Sequence, residues 1–162
     1  DGSVVTWVDR EGGGDSRAKQ ALLNGVSEVY AGCWAFAAVK DAEPGTVIAW
    51  GRASHGGDTS GVGSRLPGGA ARIPGGAVKN ICSTNGAFAA LMSDGSVVSW
   101  GHRGFGGISS HISEQLASGV QNVYSTSAAF AAEKEDRSIV TWGNQDHGGS
   151  SASIRKELRD SL

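Results

Sequence analysis

A short apolar strand ending in tryptophan returns four times along this chain, and that recurrence restricts the fold more tightly than any local propensity. The segments are Val4-Val5-Thr6-Trp7, Val47-Ile48-Ala49-Trp50, Val97-Val98-Ser99-Trp100 and Ile139-Val140-Thr141-Trp142, with tryptophan spacings of 43, 50 and 42 residues. Seven residues after each tryptophan stands the second glycine of a pair: Gly14, Gly57, Gly107 and Gly149. Ala-Phe-Ala-Ala recurs three times, around Phe36, Phe88 and Phe130. The spacing of 50 contains an insertion, Pro67 to Gly76, whose glycine and proline punctuation predicts an enlarged, floppy loop. A smaller insertion, Ala42-Glu43-Pro44-Gly45, replaces a two-residue turn in the first unit. The unit is therefore about 42 residues, and the chain reads as one repeat domain of about three and a half units. Residues 1–7 are a leading strand, 8–50, 51–100 and 101–142 are units, and 143–162 are a partial unit.

Within a unit the pattern predicts several strands and one short helix. A first strand, Val26-x-x-Val29-Tyr30, Val78-x-x-Ile81-Cys82 or Val120-x-x-Val123-Tyr124, precedes a hairpin made of Ala-Phe-Ala-Ala and the tryptophan strand. Asp94-Gly95 between those runs predicts a two-residue turn with positive φ at both central positions. Asp136-Arg137 holds that place in the last unit and predicts a strained turn or one of another type. After each glycine pair come apolar residues at i, i+4: Ala18/Leu22, Val62/Leu66, Ile112/Leu116 and Ile154/Leu158. They predict a one- to two-turn helix capped by a serine or threonine hydroxyl. A fourth strand is expected between each tryptophan and its glycine pair.

Composition fits many turns between short strands. Glycine supplies 26 of 162 residues, well above the usual level of about 7%, without the Gly-X-Y period of collagen. With 14 Lys+Arg against 16 Asp+Glu the net charge is −2, which argues against a strongly basic nucleic-acid binder and against a polybasic membrane-surface protein. No apolar run approaches the roughly 18–20 residues of a spanning helix, which leaves peripheral association open. Cys33 and Cys82 show no metal-ligand spacing and read as free buried thiols.

A β-rich unit of this length with Trp-Gly at a strand end predicts an all-β fold built of β-propeller blades, each tryptophan wedged against the neighbouring blade. An open β-solenoid is the competing repeat architecture. Gly119-Val120-x-x-Val123-x-Ser125, Ala129-Phe130-Ala131-Ala132 and Ile139-Val140-x-Trp142-Gly143-Asn144 together resemble repeats of the regulator of chromosome condensation type. Asp94-Gly95-Ser96-Val97-Val98-x-Trp100-Gly101 matches best, and the resemblance covers essentially the whole chain. It departs where Ala-Phe-Ala-Ala replaces the family's His-Ser/Thr before the Ala-Leu strand, and where Gly-Gly-Asp/Ser-Ser/Thr replaces Gly-Gln-Leu-Gly. The resemblance implies a seven-bladed propeller, of which this chain would be a segment, or an open arc whose edges something else covers. Divergent repeats of this kind resemble expanded repeat proteins of algae and some bacteria, which names a photosynthetic membrane complex in a plastid as one host assembly.

The residues point to no enzyme, no cofactor and no metal. Asp9-x-Glu11-x-Gly13-Gly14-Asp15 spaces oxygens like a calcium loop, but Gln20 stands where a bidentate glutamate is needed. His55 and His147 occupy equivalent places in different units, which are expected to lie far apart, and His102 and His111 lack acidic or cysteine partners. Four tryptophans sit at repeat positions and read as packing; Trp34 alone is off-register. The expected role is a non-catalytic scaffold or accessory subunit whose partners are other protein subunits, with no nucleic acid. Positions that vary while packing positions repeat are the candidate contacts: Arg52, His55, Arg103, Phe105 and His147. The inserted stretch 66–73 is a second candidate surface. The alternative functions are regulation of a small GTPase by nucleotide exchange, which the resemblance implies, and a ligand-binding propeller.

Overall fold

The computed structural model describes residues 2–7, 12–13, 15–65 and 69–151. Among these, eleven strands form three antiparallel sheets, and helix is confined to short 3-10 segments, so the chain is all-β. The first sheet contains β1 (Glu28–Ala31), β2 (Ala35–Val39) and β3 (Thr46–Gly51), extended by β4 (Ser64–Arg65) and β5 (Ala71–Arg72) in the order β1-β2-β3-β5-β4. The second is β6 (Val78–Ser83), β7 (Ala87–Met92) and β8 (Val97–Gly101); the third is β9 (Val120–Ser125), β10 (Ala129–Lys134) and β11 (Ile139–Gly143). Both run in chain order.

One register recurs in all three sheets. Phe36 is paired with Trp50, Phe88 with Trp100 and Phe130 with Trp142, and the rings stack with centroids 5.5, 5.4 and 5.2 Å apart. Each indole Nε1 donates to a carbonyl of the glycine pair that follows the preceding tryptophan strand: Trp50 to Gly13 at 3.0 Å, Trp100 to Gly56 at 3.1 Å, Trp142 to Gly106 at 3.0 Å. Close approach explains the glycine. A Cβ on Gly56 would lie 2.5 Å from the Phe88 ring. A buried indole N–H needs an acceptor, and here meeting that need also fastens one unit to the next.

The core accordingly lies between sheets. Ala37, Val39 and Val47 of the first sheet cluster with Ile81, Phe88, Ala90 and Met92 of the second. Ala89, Leu91 and Val97 cluster with Val123, Phe130, Ala132 and Val140 of the third. Val4 and Leu23 cluster with Ala38, Ile48 and Trp50. Small alanines on β2, β7 and β10 let sheets approach closely, and no sheet buries both faces alone. Polar links tie the first strands together: Ser83 Oγ donates to the Ala31 carbonyl at 2.8 Å and Cys82 Sγ to the Val123 carbonyl at 3.0 Å.

Several expectations change. After Trp50, Trp100 and Trp142 the connection to the glycine pair is a single 3-10 turn, Ala53–His55, Arg103–Phe105 or Gln145–His147, not a fourth strand; most of the connection after Trp7 lies outside the described residues. The segment after the first glycine pair is a 3-10 helix, Arg17–Leu22, and Ser16 does not cap it; its hydroxyl lies 2.8 Å from Thr6 Oγ1 instead. After the third pair, helix is limited to Ser110–Ile112. Leu66, Ile154 and Leu158 lie outside the described residues, as do Asp9, Glu11 and Gly14. The insertion is no loose loop where it is described: it adds β5 to the first sheet and buries Ala70, Ala71 and Ile73. Residues 2–7 join no sheet. Cys33 is exposed, its thiol 3.3 Å from Asn85 Oδ1, whereas Cys82 is partly covered and burial raises its pKa.

The Asp94-Gly95 turn also departs from the two-residue type. Met92 N–H bonds to Ser96 O, Gly95 N–H bonds to Met92 O, and Gly95, unlike Asp94, has positive φ. That is a longer turn closed by one left-handed residue. Lys134, Arg137 and Ser138 repeat the same bonds, with Arg137 at φ 67. One left-handed position instead of two is why arginine can stand there.

Candidate functional site

Adjacent units bring two of their 3-10 turns together at one rim. The first turn follows Trp50 and carries Arg52 and His55; the second follows Trp100 and carries His102, Arg103 and Phe105. His55 sits 5.2 Å from His102 and 6.0 Å from Phe105 between ring centroids, and His102 lies 5.3 Å from Phe105. Trp34, in the turn before β2, packs edge-on to His55 at 6.3 Å and lies under the Arg52 guanidinium, 4.3 Å from its ring centre. Trp34 is thus the off-register tryptophan put to use on a surface.

The scaffold holds this patch from beneath. Thr84 is buried; its Oγ1 donates to the Phe105 carbonyl at 2.9 Å and accepts from Ala87 N–H at 3.0 Å. Gly86 makes room for the rings, since a Cβ there would come within 2.7 Å of Phe105 and 2.9 Å of His55. His102 Nδ1 accepts from Gly104 N–H at 3.1 Å, which puts the neutral ring's proton on Nε2. Arg52 N–H bonds to Trp34 O and His102 N–H to Gly86 O, both at 2.8 Å, so each turn is anchored to the hairpin of the sheet it follows. Burial first, then the charges of His102 and Arg52, lower the His55 pKa from its ordinary 6.5.

Four of the five candidate contacts therefore gather in one place: Arg52, His55 and Phe105 through their rings and charges, and exposed Arg103 at the start of the turn that ends in Phe105. The sequence predicts that equivalent positions in different units lie far apart; for adjacent units the structure overturns this, since His55 and Phe105 are such a pair and their ring centroids are 6.0 Å apart. The rim is where successive sheets converge, and a linear repeat count does not show that. His147 stays outside, with no ring contact to the cluster among the described residues; its carbonyl accepts from Thr126 Oγ1 at 2.9 Å. Trp34 is the member that sequence reasoning missed, and His102, one of the varying turn positions, stood outside the five candidate contacts. Their signal was two positions before Phe36 and two after Trp100, where each unit has a different residue.

Other candidates fare differently. Within the inserted stretch, Ala70, Ala71 and Ile73 are buried and unavailable to a partner, and residues 66–68 are outside the described residues. Asp15 of the calcium-like run accepts two side-chain hydrogen bonds from Arg17, at 2.8 and 2.7 Å, and one from its backbone N–H at 3.1 Å. No helix among the described residues is long and apolar enough to cross a membrane. No protein-family model matches the chain, and no curated protein matches it significantly.

Proposed function

We propose that this chain is a non-catalytic protein-interaction module, an arc of β-propeller blades with repeats of the regulator of chromosome condensation type, and that it docks other protein subunits through the Trp34–Phe105 rim. The observation that carries the reading is the joining of two aromatic rings, two imidazoles and two arginines from adjacent units on a surface held from below by Thr84 and Gly86. Aromatic and arginine side chains are the residues that most often anchor protein interfaces. Four flat rings and a cationic fringe suit an acidic segment carrying an aromatic or apolar side chain.

The test uses a glutamate-rich peptide with one central tyrosine, followed by the amide resonances of Gly86 and Phe105 and the indole of Trp34. Saturable shifts at those three sites are expected, weakened at least tenfold by Phe105→Ala and by Arg103→Glu. A lysine-rich peptide of the same length is expected to leave them unmoved. Absent shifts at millimolar peptide, or equal response to both peptides, would reject the rim as the docking surface.

A further inference from the structure

One position in the rim turns is filled in three ways. Arg52, His102 and Asn144 stand two residues after Trp50, Trp100 and Trp142, and each opens a 3-10 turn with nearly the same backbone, φ/ψ −66/113, −73/129 and −69/124. Their carbonyls accept from the N–H of His55, Phe105 and His147 at 3.0, 3.0 and 3.1 Å. Only the side chains differ. Asn144 Oδ1 accepts from Asp146 N–H at 2.9 Å, and His102 Nδ1 accepts from Gly104 N–H at 3.1 Å. A guanidinium has no acceptor to offer. Arg52 accordingly makes no side-chain cap, and its guanidinium lies over the Trp34 ring instead. The first turn thus shows what a cation does at this position: the turn keeps its backbone hydrogen bonds, and the side chain joins the surface of the rim.

Of the three residues, only histidine changes its chemistry with a proton. A neutral ring protonated on Nε2 offers Nδ1 as an acceptor; a charged ring has two donors, and Nδ1–H would then face Gly104 N–H, donor against donor. Histidine makes this change between about pH 5 and 8. The cap also fixes the ring within the patch, 5.2 Å from His55 and 5.3 Å from Phe105 between centroids. The charged and titratable groups around it are His55 and Arg52 from the preceding turn and exposed Arg103 beside it. Asp146 and His147 of the following turn make no ring contact or ion pair with it among the described residues. We infer that His102 is a proton-operated clasp: neutral, it is pinned to Gly104 N–H as the cap of the Phe105 turn; protonated, it lets go and joins Arg52 and Arg103 in the cationic fringe. The inference rests on the reading of this rim as a docking surface for an acidic segment and adds the regulation of that site, since one proton both frees the side chain and supplies the charge that such a segment attracts.

The experiment titrates the full chain from about pH 7.5 to about pH 5.5 and follows the imidazole nitrogens and the Gly104 amide by NMR. His102 Nδ1 is expected to be unprotonated at the upper end, and the Gly104 amide to lose its hydrogen-bonded shift with the midpoint of His102. His102→Asn, which supplies the acceptor that Asn144 supplies one unit later, should remove most of that movement, and His55→Gln should leave it in place. Over the same range the parent chain's affinity for the glutamate-rich, single-tyrosine peptide should rise about threefold more than that of His102→Asn. A Gly104 amide that ignores the His102 titration, or a neutral ring protonated on Nδ1, would overturn the inference. Equal gains in affinity for the two chains would overturn it as well. A peptide that leaves both chains unmoved at every pH would instead reject the rim as the docking surface, with the clasp judged by Gly104 alone.

Discussion

Arg137 and His55 show how single residues depart from the repeat and what each departure costs. Arg137 takes the left-handed conformation that Gly95 takes one unit earlier, an arrangement that costs an L-residue roughly 1–2 kcal/mol. Its guanidinium is 3.1 Å from Glu133 Oε1, an exposed pair contributing at most about 1 kcal/mol. Arg137→Gly should therefore stabilise the chain by about 0.5–1 kcal/mol in urea unfolding, after allowing for glycine's added freedom in the unfolded state; a lower midpoint would contradict the turn assignment. His55 depends on pH. Because its folded pKa is lowered, the unfolded chain takes up the proton first, so the neutral ring's contribution is whole above pH 6.5 and declines as pH falls through 6.5 towards the folded value. Taking the denaturation midpoint from about pH 7.5 to about pH 5.5, the parent chain should lose more than a His55→Gln variant. Equal losses would show that the imidazole is not held neutral by its surroundings.

At the level of the strand, tryptophan has one motif and two fates. Trp100 stacks on Phe88, donates to Gly56 O and is almost wholly buried, so Trp100→Ala removes a core wedge and leaves a carbonyl without its donor. A loss of about 3–5 kcal/mol is expected by denaturant titration. Trp7→Ala, in the same motif but with its side chain exposed, should cost no more than about 0.5 kcal/mol. Similar losses at the two positions would mean that residues 2–7 are packed far more completely than the exposure of Trp7 shows. The 3-10 turns obey the same logic: Thr84 and Thr126 each hold the turn that follows their own sheet by donating to Phe105 O or His147 O, while Gly32 stands at that place in the first sheet and has no hydroxyl to offer.

Across the whole molecule the two ends of the stack differ in character. The forward face of an interior sheet centres on Val39 or Leu91, both buried against the next sheet. Glu133 holds that position in the third sheet, with its side chain 16% exposed and bonded by Asn122 Nδ2 at 3.2 Å, Tyr124 hydroxyl at 3.3 Å and Arg137. Tyr124 and Ile139 on the same face are exposed. A charged, hydrogen-bonded centre discourages stacking of another apolar sheet there. Glu133→Leu should restore the interior pattern and drive concentration-dependent self-association in sedimentation velocity. A variant that sediments as the parent chain does at every concentration would show that Glu133 does not guard this face.

Much of this was written in the repeat itself. The strand order within a sheet, the Phe–Trp pairing and the apolar character of each interface follow from residues that recur at fixed spacing, because a period-2 strand has only one face it can bury and an indole that is buried must find an acceptor. The place of the insertion was legible for the same reason. What the chain could not announce was which turn residues meet. Arg52, His55, His102 and Phe105 are separated by up to 53 positions, and their contact depends on how closely two sheets converge at one rim, a distance set by alanine packing between sheets and not by any local signal. The insertion was misjudged on similar grounds: its glycines suggested looseness, but Ala71 and Arg72 found an open sheet edge beside β3, and hydrogen bonds to that edge outweighed the preference of the segment for irregular chain.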